Sequence, residues 1–98
     1  MSTRSRFIVT YDIADAKRLR RIYKKMRGFG DPLQLSVFSC VLSPIERELM
    51  TAELHKILNH KSDQVLIIEL GPASKRARRR IQVLGRSTPP PVEDVVVF

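Results

Sequence analysis

Apolar residues along the chain fall into short runs and stripes whose spacing predicts the elements of one small domain. Phe7-Ile8-Val9-Thr10-Tyr11 is β-branched and aromatic, which predicts a first strand that ends at Asp12. From about residue 14 to residue 27 apolar residues recur at helical spacing, and Gly28 and Gly30 end this helix. The apolar stripe of the helix consists of Leu19, Ile22, Tyr23 and Met26.

A second extended stretch covers residues 33–42 and is compatible with one long strand or with two short strands and a kink near Ser36. Ser43-Pro44-Ile45-Glu46 then forms a capping box with proline at the first helical position, which predicts a second helix to about Asn59. Its predicted buried side consists of Met50, Leu54, Ile57 and Leu58.

The last third of the chain alternates apolar runs with breakers. Residues 65–70 form an apolar run interrupted only by Glu69, which predicts a central strand. Residues 81–84 predict a short strand closed by Gly85. Three prolines at 89–91 predict a stiff linker, and residues 95–98 form a final apolar segment.

This order of elements predicts an α/β (α+β) fold, a ferredoxin-like sandwich in which an antiparallel sheet carries both helices on one face. We expect a ferredoxin-like domain over residues 1–85, with a linker and C-terminal edge strand over residues 86–98. So short a chain buries little surface alone, which favours a homodimer. We expect residues 95–98 to add to the sheet edge of the partner subunit, with pairing inside the same subunit as the alternative.

Charge and composition narrow the class of protein. The 98 residues carry a formal net charge of +8, which indicates a polyanionic partner, either nucleic acid or an anionic membrane. No apolar run reaches the roughly 18 residues of a spanning helix. Cys40 is the single cysteine, so an intrachain disulfide is excluded. We therefore expect a cytoplasmic protein with RNA or DNA, and no membrane, as its partner.

Basic charge is segregated into two segments, residues 17–27 and residues 75–80, which hold twelve of the eighteen lysines and arginines. A solvated helix face plus a flexible basic loop is the simplest explanation. Two arginine-rich clusters in one small domain favour instead sequence-tolerant binding to a phosphate backbone. The second cluster consists of Lys75, Arg76, Arg78, Arg79 and Arg80.

Asp12 is the candidate for metal chemistry, because it stands where the first strand ends and Mg²⁺ or Mn²⁺ prefers oxygen ligands. The alternative is that Asp15, or Asp12 itself, caps the first helix. One carboxylate is a poor metal site, whereas a two-fold dimer axis would supply it twice. His55 and His60 fit surface positions, and Cys40 fits a packed strand position rather than a nucleophile.

Several motifs, taken in their order, resemble the family of CRISPR-associated protein two. They are Tyr11-Asp12-Ile13-x-Asp15, the run Lys17-Arg18-x-Arg20-Arg21, Gly28-Phe29-Gly30-Asp31, Gln34-x-Ser36-Val37-Phe38 and Ile81-x-Val83-Leu84-Gly85. The resemblance implies a ferredoxin-like homodimer that partners the CRISPR integrase, CRISPR-associated protein one, when new spacers are captured. It also implies a metal-dependent endonuclease acting on RNA or DNA.

The resemblance assigns roles to individual positions of this chain. The family's metal-binding, catalytic aspartate falls on Asp12 and its tyrosine on Tyr11. Its basic helix positions fall on Arg18 and Arg21, and its strand phenylalanine falls on Phe38. Two other functions stay open from the sequence: a non-catalytic scaffold that holds a duplex for the integrase, and a toxin-type mRNA interferase on a similar fold.

Overall fold

Up to residue 72, strands and helices follow one another as the hydrophobic pattern predicts, whereas the short helix after it was not predicted. The computed structural model describes residues 3–86, apart from the side chains of Lys75 and Arg78. Its elements are β1 (Ser5–Asp12), α1 (Ala16–Met26), β2 (Asp31–Gln34), β3 (Val37–Leu42), α2 (Pro44–Ile57), β4 (Gln64–Pro72) and a short α3 (Lys75–Arg79).

The four strands form one antiparallel sheet in the order β2-β3-β1-β4, and α1 and α2 cover one of its faces. Alternate residues of β1 and β3 point into the resulting core, as the two-residue period of a strand requires. The predicted apolar side of α1 supplies Ile22, Tyr23 and Met26, which are fully buried. The predicted ferredoxin-like sandwich is therefore confirmed.

The position of β4 differs from the prediction. Among residues 3–86, residues 65–70 lie in an edge strand, whereas β3 and β1 each have a neighbour on both sides. The apolar run misled because both of its faces are apolar: Val65 and Ile67 pack on the core, while Leu66 and Ile68 on the opposite face remain 49% and 46% exposed. The hydrophobic periodicity of a strand indicates what its two faces contact, but it does not indicate whether the strand has hydrogen-bonded neighbours on both sides.

Residues 33–42 resolve into two strands, which settles the alternative that the sequence left open. The turn between them is held by Tyr11, whose backbone N–H donates to the carbonyl of Ser36 at 3.1 Å. The Tyr11 hydroxyl donates to the carbonyl of Leu35. The kink is thus fixed by a residue on another strand.

The strand predicted over residues 81–84 is wrong. The backbone there is irregular and joins no sheet. Val83 and Leu84 are 50% and 84% exposed, so this segment does not pack on the core. A short apolar run forms a strand only where it can pair with the edge of a sheet.

Local capping explains why both long helices begin where they do. Asp15 is the N-cap of α1 and accepts a hydrogen bond from the N–H of Arg18 at 2.9 Å. Ser43 and Glu46 form the predicted capping box of α2, with Pro44 in its first turn. The prediction that one of two aspartates caps α1 is confirmed for Asp15, which leaves Asp12 without that role.

Two glycines are required by close packing or by backbone geometry. A Cβ atom at Gly30 would come within 2.5 Å of Cys40 Sγ, so the turn after α1 lies directly against β3. Gly71 has a φ of 109° and lies where the β1–β4 register shifts, a conformation that a side chain disfavours.

The predicted proline linker and exchanged C-terminal strand lie outside the described residues, so the division at residue 85 stays a prediction. Among residues 3–86 no helix combines the length and the apolar character needed to cross a bilayer.

Candidate nucleic-acid and metal site

Asp12 is an exposed carboxylate at the end of β1, where its backbone pairs with that of Gln64 on β4. Within residues 3–86 it makes no ion pair and no side-chain hydrogen bond, unlike the capping Asp15. No group of three metal-ligating side chains occurs in the same part of the chain. Asp12 can therefore offer oxygen ligands, but the described residues of one chain supply only an incomplete metal site.

The sheet face that carries Asp12 is largely apolar, apart from Asp12 itself, Arg6, Thr10 and Ser39, and is not covered by α1 or α2. On β1, residues 6, 8, 10 and 12 point away from the core. Ile8 lies opposite Ile68, and Thr10 lies opposite Leu66. We call this surface the open face; its apolar members on the three longer strands are Ile8, Val37, Val41, Leu66 and Ile68.

A buried carboxylate that the sequence did not single out holds the loop after Asp12. Asp63, whose side chain has no exposed surface, accepts hydrogen bonds from the backbone N–H groups of Ala14 and Asn59, each at 2.9 Å. It also accepts from Arg18 Nε at 2.8 Å. These donors, the Arg18 guanidinium foremost, hold the pKa of Asp63 well below its usual range.

Arg18, a predicted nucleic-acid contact, has a different environment from the other basic residues of α1. Its guanidinium makes two hydrogen bonds to Asp63 and is largely shielded from solvent. The bond to Asp63 also raises the pKa of Arg18. The structure therefore joins Arg18 to the loop between α2 and β4, where most of its charge is compensated.

A row of free cations runs along the outer side of α1. Spacings of mostly three and four residues place them on one helix face, where the five cations extend over about three turns of 5.4 Å. All are exposed, and among residues 3–86 the ion pairs of α1 involve only Arg18 and Lys25. We call this set the basic row; it consists of Lys17, Arg20, Arg21, Lys24 and Arg27. The predicted contact Arg21 belongs to it.

The second basic cluster lies at the other end of the sheet. Ser5 pairs with Pro72 and Asp12 with Gln64, so α3 follows β4 at the end opposite Asp12. Arg76, Arg79 and Arg80 are exposed, and Arg80 donates to the carbonyl of Leu70 at 2.5 Å. The fold does not bring this cluster to Asp12. Lys75 and Arg78 belong to α3, but their side chains lie outside the described part.

The remaining candidates are structural. The Tyr11 and Phe38 rings lie in the core with centroids 6.3 Å apart, and burial raises the Tyr11 pKa above its ordinary value. Burial likewise raises the pKa of the Cys40 thiol to about 11, which suits a packed side chain and not a nucleophile. His55 and His60 are exposed as predicted, and their rings stack.

Comparison with known proteins adds to this geometry. A family model described as CRISPR associated protein Cas2 matches residues 5–78. The chain is 42% identical over 91 residues to a CRISPR-associated endoribonuclease Cas2 of Geobacter sulfurreducens, covering 93% of this chain and 95% of that one. It is 45% identical over 67 residues to a CRISPR-associated endoribonuclease Cas2 of Rhodospirillum rubrum, covering 68% of this chain and 66% of the relative.

A solved structure agrees with the sequence matches. Streptococcus pyogenes Cas2 superposes with a TM-score of 0.71 at 30% identity, covering 82% of this chain and 99% of that one. The fold and the family therefore rest on independent comparisons.

Proposed function

Because the chain belongs to the family of CRISPR associated protein Cas2, we propose that it is a metal-dependent endoribonuclease in which two copies share a site at Asp12. The observation that carries the proposal is the exposed Asp12 carboxylate, which has no ion pair among residues 3–86 and lies at the rim of the sheet face that α1 and α2 leave open. RNA is the first substrate to test, because the relatives from two organisms are named endoribonucleases. DNA is the comparison substrate.

The homodimer follows from the open face. Leu66 and Ile68 are half exposed, and a second copy that covers them would remove this apolar surface from water. Asp12 shares the open face with Ile8 and Thr10. If the two-fold axis of an isologous dimer passes near the Asp12 end of β1, the Asp12 of the partner lies next to that of the first copy. Two carboxylates then face one another across the axis.

The chemistry expected at this site is phosphodiester hydrolysis. A divalent ion such as Mg²⁺ or Mn²⁺, when bound, lowers the pKa of water and offsets charge on the phosphate. The two Asp12 carboxylates would hold such an ion, whose preference for oxygen ligands and bound water suits this site. Asp63 keeps the strand end in place, because it binds the N–H of Ala14 two residues beyond Asp12.

Nucleic acid is proposed to lie along the basic row. The row contains no carboxylate, and its five cations share one exposed helix face that a phosphate backbone can follow. Arg18 contributes by holding α1 in place, whereas Arg21 contacts the backbone directly. The exposed arginines of α3 form a second contact region, away from the metal.

We expect the variant Lys17→Ala/Arg20→Ala/Arg27→Ala to weaken binding equally on unrelated sequences. The slope of log K against log salt should fall by about 0.9 for each duplex phosphate that is no longer neutralised, or about 0.7 on a single strand. Fluorescence anisotropy over a salt series measures it. The variant Arg47→Ala/Lys61→Ala removes exposed cations outside the basic row and should leave the slope unchanged. Weaker binding confined to one sequence contradicts the assignment.

A second candidate, a non-catalytic scaffold that holds a duplex for the CRISPR integrase during spacer capture, needs the basic surface but not Asp12. The physical separation of the α3 cluster from the Asp12 carboxylate favours it, because binding and chemistry then use different residues. Family membership supports either CRISPR role over the toxin-type interferase.

Cleavage of labelled RNA by highly purified protein separates the two roles. Cleavage should require Mg²⁺ or Mn²⁺, stop with EDTA and fall about 100-fold or more in Asp12→Ala, since the metal supplies several kcal/mol to the transition state. Asp15→Ala, a neighbouring carboxylate with a capping role, should keep most of the activity. Activity that survives in Asp12→Ala contradicts the mechanism; no cleavage with any metal favours the scaffold.

A further inference from the structure

A groove between α1 and α2 differs in chemistry from the basic row, although Arg21 and Lys24 belong to both. Its volume is about 680 Å³, within the range of about 300–1,000 Å³ typical of binding sites. Apolar surface from the half-buried Phe29 and the buried Ile57 lines part of it. The cations that line it are Arg21, Lys24, Lys25 and Lys56.

One carboxylate lies among these cations. Glu53 pairs with Lys25 at 3.6 Å and with Lys56 at 3.4 Å, and the groove keeps an excess of positive charge. Lysines in the last turn of a helix offset the helix dipole, which accounts for some of this charge. The dipole does not account for an apolar wall that is left open beneath the cations.

We propose that this groove docks an acidic segment of a partner protein, with an apolar residue set between Asp or Glu residues. Carboxylates of the segment pair with Arg21 and Lys24, which have no ion pair within residues 3–86. The groove shares these two residues with the basic row, so the segment and nucleic acid compete for them. The apolar side chain of the segment covers Phe29 and Ile57. It then acts as a buried anchor surrounded by charge pairs, an arrangement found in many protein interfaces.

Nucleic acid fits this groove less well than the basic row. A phosphate backbone in the groove would lie against the Glu53 carboxylate, whereas the basic row holds cations alone. A sugar–phosphate chain also gains little from an apolar wall, while an aliphatic or aromatic side chain gains its full burial. Charge complementarity and the apolar wall together favour an acidic peptide.

The test uses a fluorescein-labelled peptide of about ten residues in which Asp and Glu flank one Leu and one Phe. A second peptide carries Asn and Gln in place of the Asp and Glu. By anisotropy at low salt, the acidic peptide should bind about tenfold or more tightly than the neutral one. Lys25→Ala/Lys56→Ala should weaken acidic-peptide binding by about tenfold and leave duplex binding within about twofold of wild type.

The matched control, Lys17→Ala/Arg20→Ala, removes the same charge from outside the groove. It should weaken duplex binding and leave peptide binding within about twofold of wild type. In NMR spectra the amide signals of Gly28 and Phe29, which line the groove, should shift on peptide addition. The proposal is overturned if the acidic peptide does not bind, or if both double variants weaken its binding equally. It is also overturned if the shifts avoid these amides, or if the groove variant abolishes duplex binding.

Discussion

Asp63→Ala is expected to destabilise the protein by about 3 kcal/mol at neutral pH. The change leaves the N–H groups of Ala14 and Asn59 and the Arg18 guanidinium without their shared acceptor. Removing one member of a buried pair costs about 3–5 kcal/mol, and the partial exposure of Arg18 places this case at the lower end. For a domain of this size, urea unfolding and a fall in Tm of more than about 10 °C report it.

The stability that the Asp63–Arg18 pair contributes should fall as the pH is lowered. The folded-state pKa of Asp63 is lowered, so its contribution is present above the unfolded pKa of about 4 and is lost as pH falls toward the folded value. Wild type should therefore lose stability between about pH 5 and pH 2 more steeply than Asp63→Ala. Parallel acid limbs for the two proteins would contradict the assignment.

Asp12→Ala is the matched control for this prediction, because Asp12 is an exposed aspartate with no ion pair in the described part of the chain. Its stability should stay within about 0.5 kcal/mol of wild type. A destabilisation as large as that of Asp63→Ala would show that the two carboxylates share a structural role.

Leu66→Glu/Ile68→Glu is expected to convert the proposed homodimer to a monomer that keeps its fold. The change places two carboxylates in the proposed interface while the core side of β4, Val65 and Ile67, is untouched. A buried uncompensated charge costs several kcal/mol, so the dimer Kd should rise by at least about 1,000-fold. Analytical ultracentrifugation measures the change.

Two other exposed apolar residues provide the control for the open face. Ile45 and Leu49 lie one turn apart on α2 and are 72% and 56% exposed. Ile45→Glu/Leu49→Glu adds the same charge on a helix surface and should stay dimeric. Dissociation of this control, or a dimeric Leu66→Glu/Ile68→Glu variant, would assign the interface to a different surface.

The elements that the sequence predicted well are those fixed by neighbours along the chain. The apolar side of α1 and the capping box of Ser43 and Glu46 are local patterns, and both helices begin close to their predicted positions. The turn at residues 35–36 is different, because it is held by Tyr11 on another strand. No local turn signal was available to decide between one strand and two.

In the candidate site, too, residues marked by a local sequence pattern could be predicted, and roles that depend on distant residues could not. Asp12 could be singled out because it ends an apolar strand, and the structure leaves it free among residues 3–86. The role of Arg18 could not be foreseen, because its partner Asp63 is 45 residues away in the sequence. Arginines that look alike in a basic run become distinct only when the fold brings a buried carboxylate to one of them.

Counting Mn²⁺ ions per chain tests most directly the claim that two copies share one metal at Asp12. Titration followed by electron paramagnetic resonance should give one bound ion for every two wild-type chains. Asp12→Ala and the monomeric Leu66→Glu/Ile68→Glu should bind none at the same concentrations. One ion per chain in the monomer, or unchanged binding in Asp12→Ala, would contradict the shared site.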